Sequence, residues 1–388
     1  HGSDFAAQAV SQGARAILTD GKKAMGSYPV PVIYRSEVSP LVGDLASWFY
    51  GHPSRKMTTV GIKGTNGKTT TASLLHQLWT LADREAGLIG TLGIEIGAEH
   101  FPATHTTPEA VTLQGALAAM AERHVTQAVM EVSSHALSQQ RTAGTRFALV
   151  GFTNLTQDHL DFHPNMEDYF ATKSKLFTYE YAEQAFINID DTYGQILAAK
   201  TELPVQTLSR FSENATWHYT RIEEGIGYSD ISIRGTGGVL IDSRTTFRGG
   251  FNFDNLLMAV AMCVESGIDP MDIQTLIPHL VGAVGRLEPV HLGQNFTALV
   301  DYAHSPDAVA RVLVAAREMT AKRVIAVLGC GGDRDNSKRG LMGQELSLRS
   351  DIAIFTSDNP RSENPQTILQ QMTHGLKISE PDRKSTRL

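Results

Sequence analysis

Thr58-Thr59-Val60-Gly61-Ile62-Lys63-Gly64-Thr65-Asn66-Gly67-Lys68-Thr69-Thr70 is the stretch that decides the fold. Thr58 to Ile62 is a short β-branched, apolar run that reads as a buried strand, and Leu74, Leu75 and Leu78 continue beyond Thr70 as one face of a helix. Strand, glycine-rich turn and helix, in that order, are what a phosphate-binding loop needs. Small glycines let backbone N–H groups close around phosphate oxygens, and the helix N-terminus adds partial positive charge. Lys68 would neutralise β and γ oxygens, while Thr69 would offer its hydroxyl to Mg²⁺. The usual pattern has Gly five residues before Gly67, where this chain has Ile62. The loop is therefore a variant, with a chance Gly-Lys-Thr turn as the alternative.

Outward from this loop, strand-like runs alternate with amphipathic segments, the pattern of an α/β protein with largely parallel sheets. Helix Asp4 to Gly13, strands Ala16 to Thr19 and Val30 to Tyr34, and helix Pro40 to Tyr50 make too little for a whole domain. They predict a partial N-terminal α/β domain over 1–54, closed by the breaker-rich Gly51-His52-Pro53-Ser54. A central domain over 55–285 carries strands at Ala128 to Met130 and Ala148 to Phe152. A third, over 286–388, has strands at Ala298 to Val300, Val324 to Leu328 and Ile352 to Thr356, with helices between them and after the last. The polar tail from Asp382 predicts that this Rossmann-like domain is incomplete.

Composition sets outer bounds. The 388 residues hold 34 Lys+Arg against 41 Asp+Glu, a net charge of −7, which argues against bulk attraction to nucleic acid or anionic lipid. No apolar run reaches 18 residues, so no bilayer span is expected. Two cysteines, Cys263 and Cys330, cannot build a disulfide framework; they read as small buried hydrophobes in a reducing cytoplasm. No leader is visible at His1.

The loop Gly64-Thr65-Asn66-Gly67-Lys68-Thr69-Thr70 has the form of the ATP loop of the Mur ligases, and the sequence resembles that family over nearly its whole length. The resemblance implies three domains around a central P-loop ATPase-like sheet. It also implies a cytoplasmic monomer acting on small molecules, with no nucleic-acid or membrane partner. Glu131 ends an apolar strand, where doubly wound sheets gather ligands; alone it would be an ordinary surface residue, but the resemblance makes it a ligand of Mg²⁺. Asn154 to His163 packs two His and two Asp into six residues, and the resemblance picks out His159 for a second Mg²⁺ and leaves His163 open. Tyr169 to Phe177 reads as one helix. On pattern alone its lysines are a solvated face, yet the resemblance aligns Lys173 with a lysine that takes up CO₂ as a carbamate. Lys175 stays bland, and Thr172 stands where the family has Ala.

Among polar loop residues, the resemblance sets Thr106, Thr107, Ser133, Gln139 and Arg141 against a uridine-diphosphate-muramoyl dipeptide, Arg141 best suited to an anion. Asn252 and Asn255 read as a cap and first turn of helix Leu256 to Val264; the resemblance sets Asn255, Arg286, Asp301 and Tyr302 near ATP, with His304 close by. Capping alone explains Asp307. Gly331-Gly332-Asp333-Arg334-Asp335 and Asp358-Asn359-Pro360-Arg361 follow the last two strands. The second is a turn by composition, but its Arg361 is a family mark of diaminopimelate addition, since a guanidinium can grip the distal carboxylate that lysine lacks. Arg334, Asp358, Asn359, Pro360 and Arg361 are thus the expected diaminopimelate contacts. The activity implied is ATP-dependent addition of meso-2,6-diaminopimelate to the D-Glu γ-carboxylate of UDP-N-acetylmuramoyl-L-Ala-D-Glu. The alternatives are a lysine-adding relative or a folylpolyglutamate synthetase-like ligase, and, from another class, a P-loop module that only binds ATP.

Overall fold

The computed structural model describes residues 2–23, 25–156, 165–225 and 227–376. A 3-10 turn (Gly2–Phe5) and α1 (Ala6–Ser11) lead into a parallel pair, β1 (Ile17–Thr19) and β2 (Val32–Tyr34), followed by α2 (Ser39–Phe49).

The chain then enters one sheet of eleven strands. In chain order the elements are β3 (Thr58–Lys63), α3 (Lys68–Leu81), β4 (Ala86–Gly90), β5 (Gly93–Ile96), β6 (Glu99–Phe101), α4 (Ala110–Glu122), β7 (Gln127–Glu131), α5 (Ser134–Ser138) and β8 (Phe147–Phe152). There follow α6 (Met166–Ser174), β9 (Ala182–Asn188), α7 (Thr192–Lys200), β10 (Val205–Ser209), β11 (Trp217–Glu224), β12 (Ser229–Arg234), β13 (Leu240–Thr245), α8 (Gly250–Glu265) and α9 (Pro270–Leu276). The spatial order is β13-β12-β11-β10-β9-β8-β3-β7-β4-β5-β6.

Seven central strands, β11 to β4 in that order, run parallel, while β12-β13 and β5-β6 add antiparallel pairs at the two edges. The expectation of a largely parallel sheet therefore holds, with antiparallel pairs confined to its margins. β3 is the pivot, with β7 on one side and β8 on the other. The ends of these three strands open the crevice where such sheets take ligands.

Alternation along the strands sends side chains to two cores. Val60 and Ile62 of β3 pack with Leu74, Leu75 and Leu78 of α3 and the nearly all-buried α8; Met130, Val150 and Phe152 pack in the opposite layer. Cys263 lies in the first layer as a free thiol, and burial pushes its pKa up.

Downstream, β14 (Glu288–Val290) and β15 (Ala298–Val300) form an antiparallel pair, so the strand expected at 298–300 does not join the parallel sheet that follows. After α10 (Pro306–Glu318), β16 (Ile325–Leu328) pairs parallel with β17 (Ile352–Phe355), α11 (Ser337–Arg349) crossing between them and α12 (Pro365–Thr373) following. The helices cover Leu328 and Phe355 on one face, while Ile325, Val327, Ile352 and Ile354 are exposed on the other. Cys330 is buried here, its thiol pushed up to about 11 by burial. Among the described residues no helix is long and apolar enough to cross a membrane.

Candidate active site

The loop after β3 is held in shape from β8. Asn154 Oδ1 accepts from the Asn66 backbone N–H at 3.0 Å, and Thr153 Oγ1 and Asn154 Nδ2 donate to Asn66 O at 2.6 and 3.1 Å. Gly64 has no room for a side chain, since a Cβ would lie 1.8 Å from Thr153 Oγ1. Gly67 turns the chain into α3 at φ +86°. Lys68 Nζ donates to Gly64 O (3.0 Å) and Thr65 O (2.9 Å), curling over the loop it belongs to. Thr70 is buried in the first turn of α3.

Glu131, 1% exposed at the end of β7, faces this loop. Its carboxylate accepts from Thr69 Oγ1 at 3.0 Å, from Thr91 N at 2.8 Å and from Thr91 Oγ1 at 3.3 Å. Lys173 is 0% exposed, its ammonium nitrogen 4.3 Å from the Tyr169 ring centre, and it donates to Thr65 Oγ1 at 3.0 Å. The expected helix runs only to Ser174 rather than Phe177, and Lys175 at its C-cap is exposed. Burial thus separates the two lysines as the pattern alone could not. His159 and His163 lie outside the described residues.

Asn252 and Asn255 correct the capping expectation. α8 starts at Gly250 with Gly249 as its cap, so both lie inside the helix. Buried Asn255 accepts from Thr71 Oγ1 at 3.3 Å and fills the space beside Gly67. Arg286 reaches the loop from the other side, donating to Thr69 Oγ1 at 3.3 Å with its guanidinium 4.8 Å from the Tyr302 ring. Asp301 accepts from Leu287 N and Ala303 N, at 2.7 and 2.8 Å, and burial pushes its carboxyl up. Asp307 is more than a cap: Ser305 caps α10, while Asp307 Oδ2 accepts from Asn66 Nδ2 at 3.1 Å and from Arg311 Nε at 2.9 Å. No local pattern pointed to this link, which joins the loop to a residue 241 positions away.

The residues expected to hold the sugar-peptide gather around the turn after β7, with uneven freedom. Thr107 is wholly buried, its hydroxyl donating to Glu131 O and accepting from Ser133 N. Ser133 caps α5, Gln139 is exposed at the far end of that helix, and the Thr106 hydroxyl meets that of Thr91. Arg141 is buried and already engaged, donating to Thr107 O (3.1 Å) and pairing with Glu109 (2.8 Å), while its Nε has no partner among the described residues.

Two loops at the ends of β16 and β17 lock together. Arg361 takes φ +48° and Asp333 φ +53°, left-handed conformations that cost energy in non-glycine residues and cluster at functional sites. Arg361 Nη1 donates to Gly332 O at 2.5 Å, and Gly332 N donates to Asn359 O at 2.9 Å. Pro360 O leaves no space for a Cβ at Gly332. Arg334, Asp358 and Asn359 are exposed around this junction. Beneath it lies Arg339, 1% exposed and unremarked in the sequence, donating to both Glu363 oxygens (2.7 and 2.8 Å), to Gln371 Oε1 (2.5 Å) and to Gly331 O (3.1 Å). Those hydrogen bonds hold the Glu363 carboxyl down at about 2. Arg339 carries no signal of its own in the sequence, because only the fold brings Glu363 to it.

Sheet, pivot strand and loop define a P-loop α/β protein with an added C-terminal unit. The Mur ligase middle domain pattern matches residues 62–263, and the Mur ligase, glutamate ligase domain pattern matches 285–386. The chain belongs to the Mur ligase family. It is 42% identical over 378 residues to the UDP-N-acetylmuramoyl-L-alanyl-D-glutamate--2,6-diaminopimelate ligase of Streptomyces coelicolor, covering 97% of this chain and 74% of that one. The protein of the same name from Geobacillus kaustophilus is 39% identical over 398 residues, covering 99% and 80%. A solved structure of a ligase with that name superposes with a TM-score of 0.73 at 29% identity, over 97% of this chain and 77% of that one. Folylpolyglutamate synthase of Mycobacterium tuberculosis shares the fold, at a TM-score of 0.70 and 19% identity, over 86% and 83%.

Proposed function

We propose that this protein is an ATP-dependent ligase that joins meso-2,6-diaminopimelate to the D-Glu γ-carboxylate of UDP-N-acetylmuramoyl-L-Ala-D-Glu, a step in making peptidoglycan precursors. The observation that carries the choice of amine is Arg361, held at a left-handed φ in a loop clamped to 331–333 and capable of a forked grip on a distal carboxylate. The names of the relatives above agree with it. Arg334, Asp358, Asn359 and Pro360 complete the assigned amino-acid site.

A carboxylate is a poor electrophile until one oxygen becomes a phosphate leaving group. In the proposed sequence the γ-carboxylate attacks the γ-phosphorus of ATP, ADP departs, and the amine then attacks the acyl phosphate carbon, expelling phosphate. Residues 64–70 cradle the phosphates, Lys68 and Arg286 offset their charge, and Asn255, Asp301 and Tyr302 flank the nucleotide. Thr106, Thr107, Ser133, Gln139 and Arg141 are assigned to the sugar-peptide. Approach of the 286–388 domain to the central 55–285 domain would exclude water from the acyl phosphate.

The Thr69 hydroxyl beside buried Glu131 is an all-oxygen donor set that suits Mg²⁺. The described residues contain no cluster of three or more His, Cys, Asp or Glu that could hold a metal ion. Lys173, as a carbamate, and His159 are assigned to a second ion. Bound Mg²⁺ would supply charge neutralisation for phosphoryl transfer. The two buried free thiols suit a reducing cytoplasm, and we assign the protein there as a monomer.

The test is ligation of the UDP-sugar dipeptide with diaminopimelate and L-lysine offered together. The reading expects the diaminopimelate product to dominate; a lysine product in equal or greater yield refutes it.

A further inference from the structure

Lys63, the last residue of β3, has no part in the site described above, yet it is 0% exposed next to the phosphate loop. Its Nζ donates to Val132 O at 3.0 Å and to Ser134 Oγ at 3.2 Å. Among the described residues neither acceptor is a carboxylate, so nothing here is an ordinary buried ion pair. Burial, and then the nearby Lys68 charge, push its pKa well below that of a free lysine. Burying such a group against neutral acceptors is costly, and a methionine of similar length would fill the space without that cost.

What the contacts achieve is a link. Val132 and Ser134 flank Ser133, whose N–H is held by Thr107, and Thr107 O in turn receives Arg141. The other end of the Lys63 residue is the phosphate loop itself, since Lys63 O accepts from Thr153 N and Gly64 follows directly. One side chain therefore spans from the strand that presents the phosphoryl donor to the turn that presents the acceptor contacts.

We infer that Lys63 is a positioning residue for the acceptor: it fixes the Val132–Ser134 turn relative to the phosphate loop so that the acceptor carboxylate meets the γ-phosphate at a set separation. This rests on the function proposed above. Attack geometry is sensitive to displacements of the order of 1 Å, so a loosened turn weakens acceptor use before it weakens nucleotide use. The two hydrogen bonds, rather than the charge, do the holding, because both acceptors are neutral.

The experiment is steady-state kinetics of the purified protein and of Lys63→Met, Lys63→Gln and Ser134→Ala, each checked by thermal melting. Lys63→Met should raise KM for the UDP-sugar dipeptide about tenfold or more and lower kcat, with KM for ATP within about twofold. Lys63→Gln keeps a donor and should stay within about threefold of wild type, and Ser134→Ala should raise acceptor KM by about threefold. Should Lys63→Met fail to fold, Ser134→Ala decides the matter by the same split, an acceptor KM unchanged in that variant or rising together with KM for ATP overturning the assignment. An acceptor KM unchanged in folded Lys63→Met, or acceptor and ATP KM rising by the same factor, overturns the assignment while leaving the ligase reading intact. A wild-type protein that neither binds nor ligates this acceptor overturns both.

Discussion

Replacing Gly67 with alanine tests whether the loop after β3 works as a phosphate cradle. Gly67 sits at φ +86°, where an L-residue costs about 1–2 kcal/mol. A Cβ there would also lie 2.3 Å from Asn255 Oδ1 and 3.2 Å from its Cγ, so Asn255 must move. Moving it gives up the hydrogen bond from Thr71 Oγ1, about 1 kcal/mol. The sum is a destabilisation of about 2–3 kcal/mol, read by chemical denaturation. Relief of the strain by reshaping the loop would turn N–H groups away from phosphate, so ATP affinity by calorimetry should fall at least about tenfold, roughly 1.4 kcal/mol. Adding Asn255→Ala to Gly67→Ala removes the clash and leaves the backbone strain, so the double variant should be less destabilised than the two single losses sum to. A Gly67→Ala protein that unfolds at the wild-type denaturant concentration and binds ATP as tightly refutes the reasoning.

Two further outcomes follow from the same geometry. Lys173→Ala should cut ligation about a hundredfold or more while leaving ATP binding nearly intact, with partial recovery on adding small carboxylic acids; undiminished ligation would refute the carbamate assignment. Glu363 is held at about 2 against an ordinary 4.5, chiefly by Arg339 and then by the Asp333 N–H. A depressed carboxylate pKa stabilises above the unfolded value and loses that contribution as pH falls toward the folded one, so the C-terminal unit should loosen between about pH 4.5 and 2. Glu363→Gln should remove this acid sensitivity, checked by hydrogen exchange of 331–363 across that range.

The parts of this protein legible in its sequence are those written in consecutive residues. Thr58 to Thr70 names its own strand, turn and helix because each local preference agrees with the fold, and Asp358 to Arg361 is a turn in any context. The antiparallel edges β5-β6 and β12-β13 are not legible in the sequence, since short strands with mixed polarity carry weak periodicity. Asn252 reads as a cap because asparagine favours that place, yet α8 starts at Gly250 and takes both asparagines inside it, with Asn255 packed beside Gly67. Asp307, Arg339 and Lys63 act through partners far away in sequence, so their spacing held no signal. Lys173 and Lys175 looked alike until burial told them apart.

The central claim is that Arg361 selects the amine by its distal carboxylate. The most direct measurement is the ratio of kcat/KM for meso-diaminopimelate over L-lysine in wild type and in Arg361→Met. The account predicts that the ratio falls at least about a hundredfold in the variant, about 2.7 kcal/mol, with KM for ATP unchanged. A ratio that stays the same when the guanidinium is gone would contradict it.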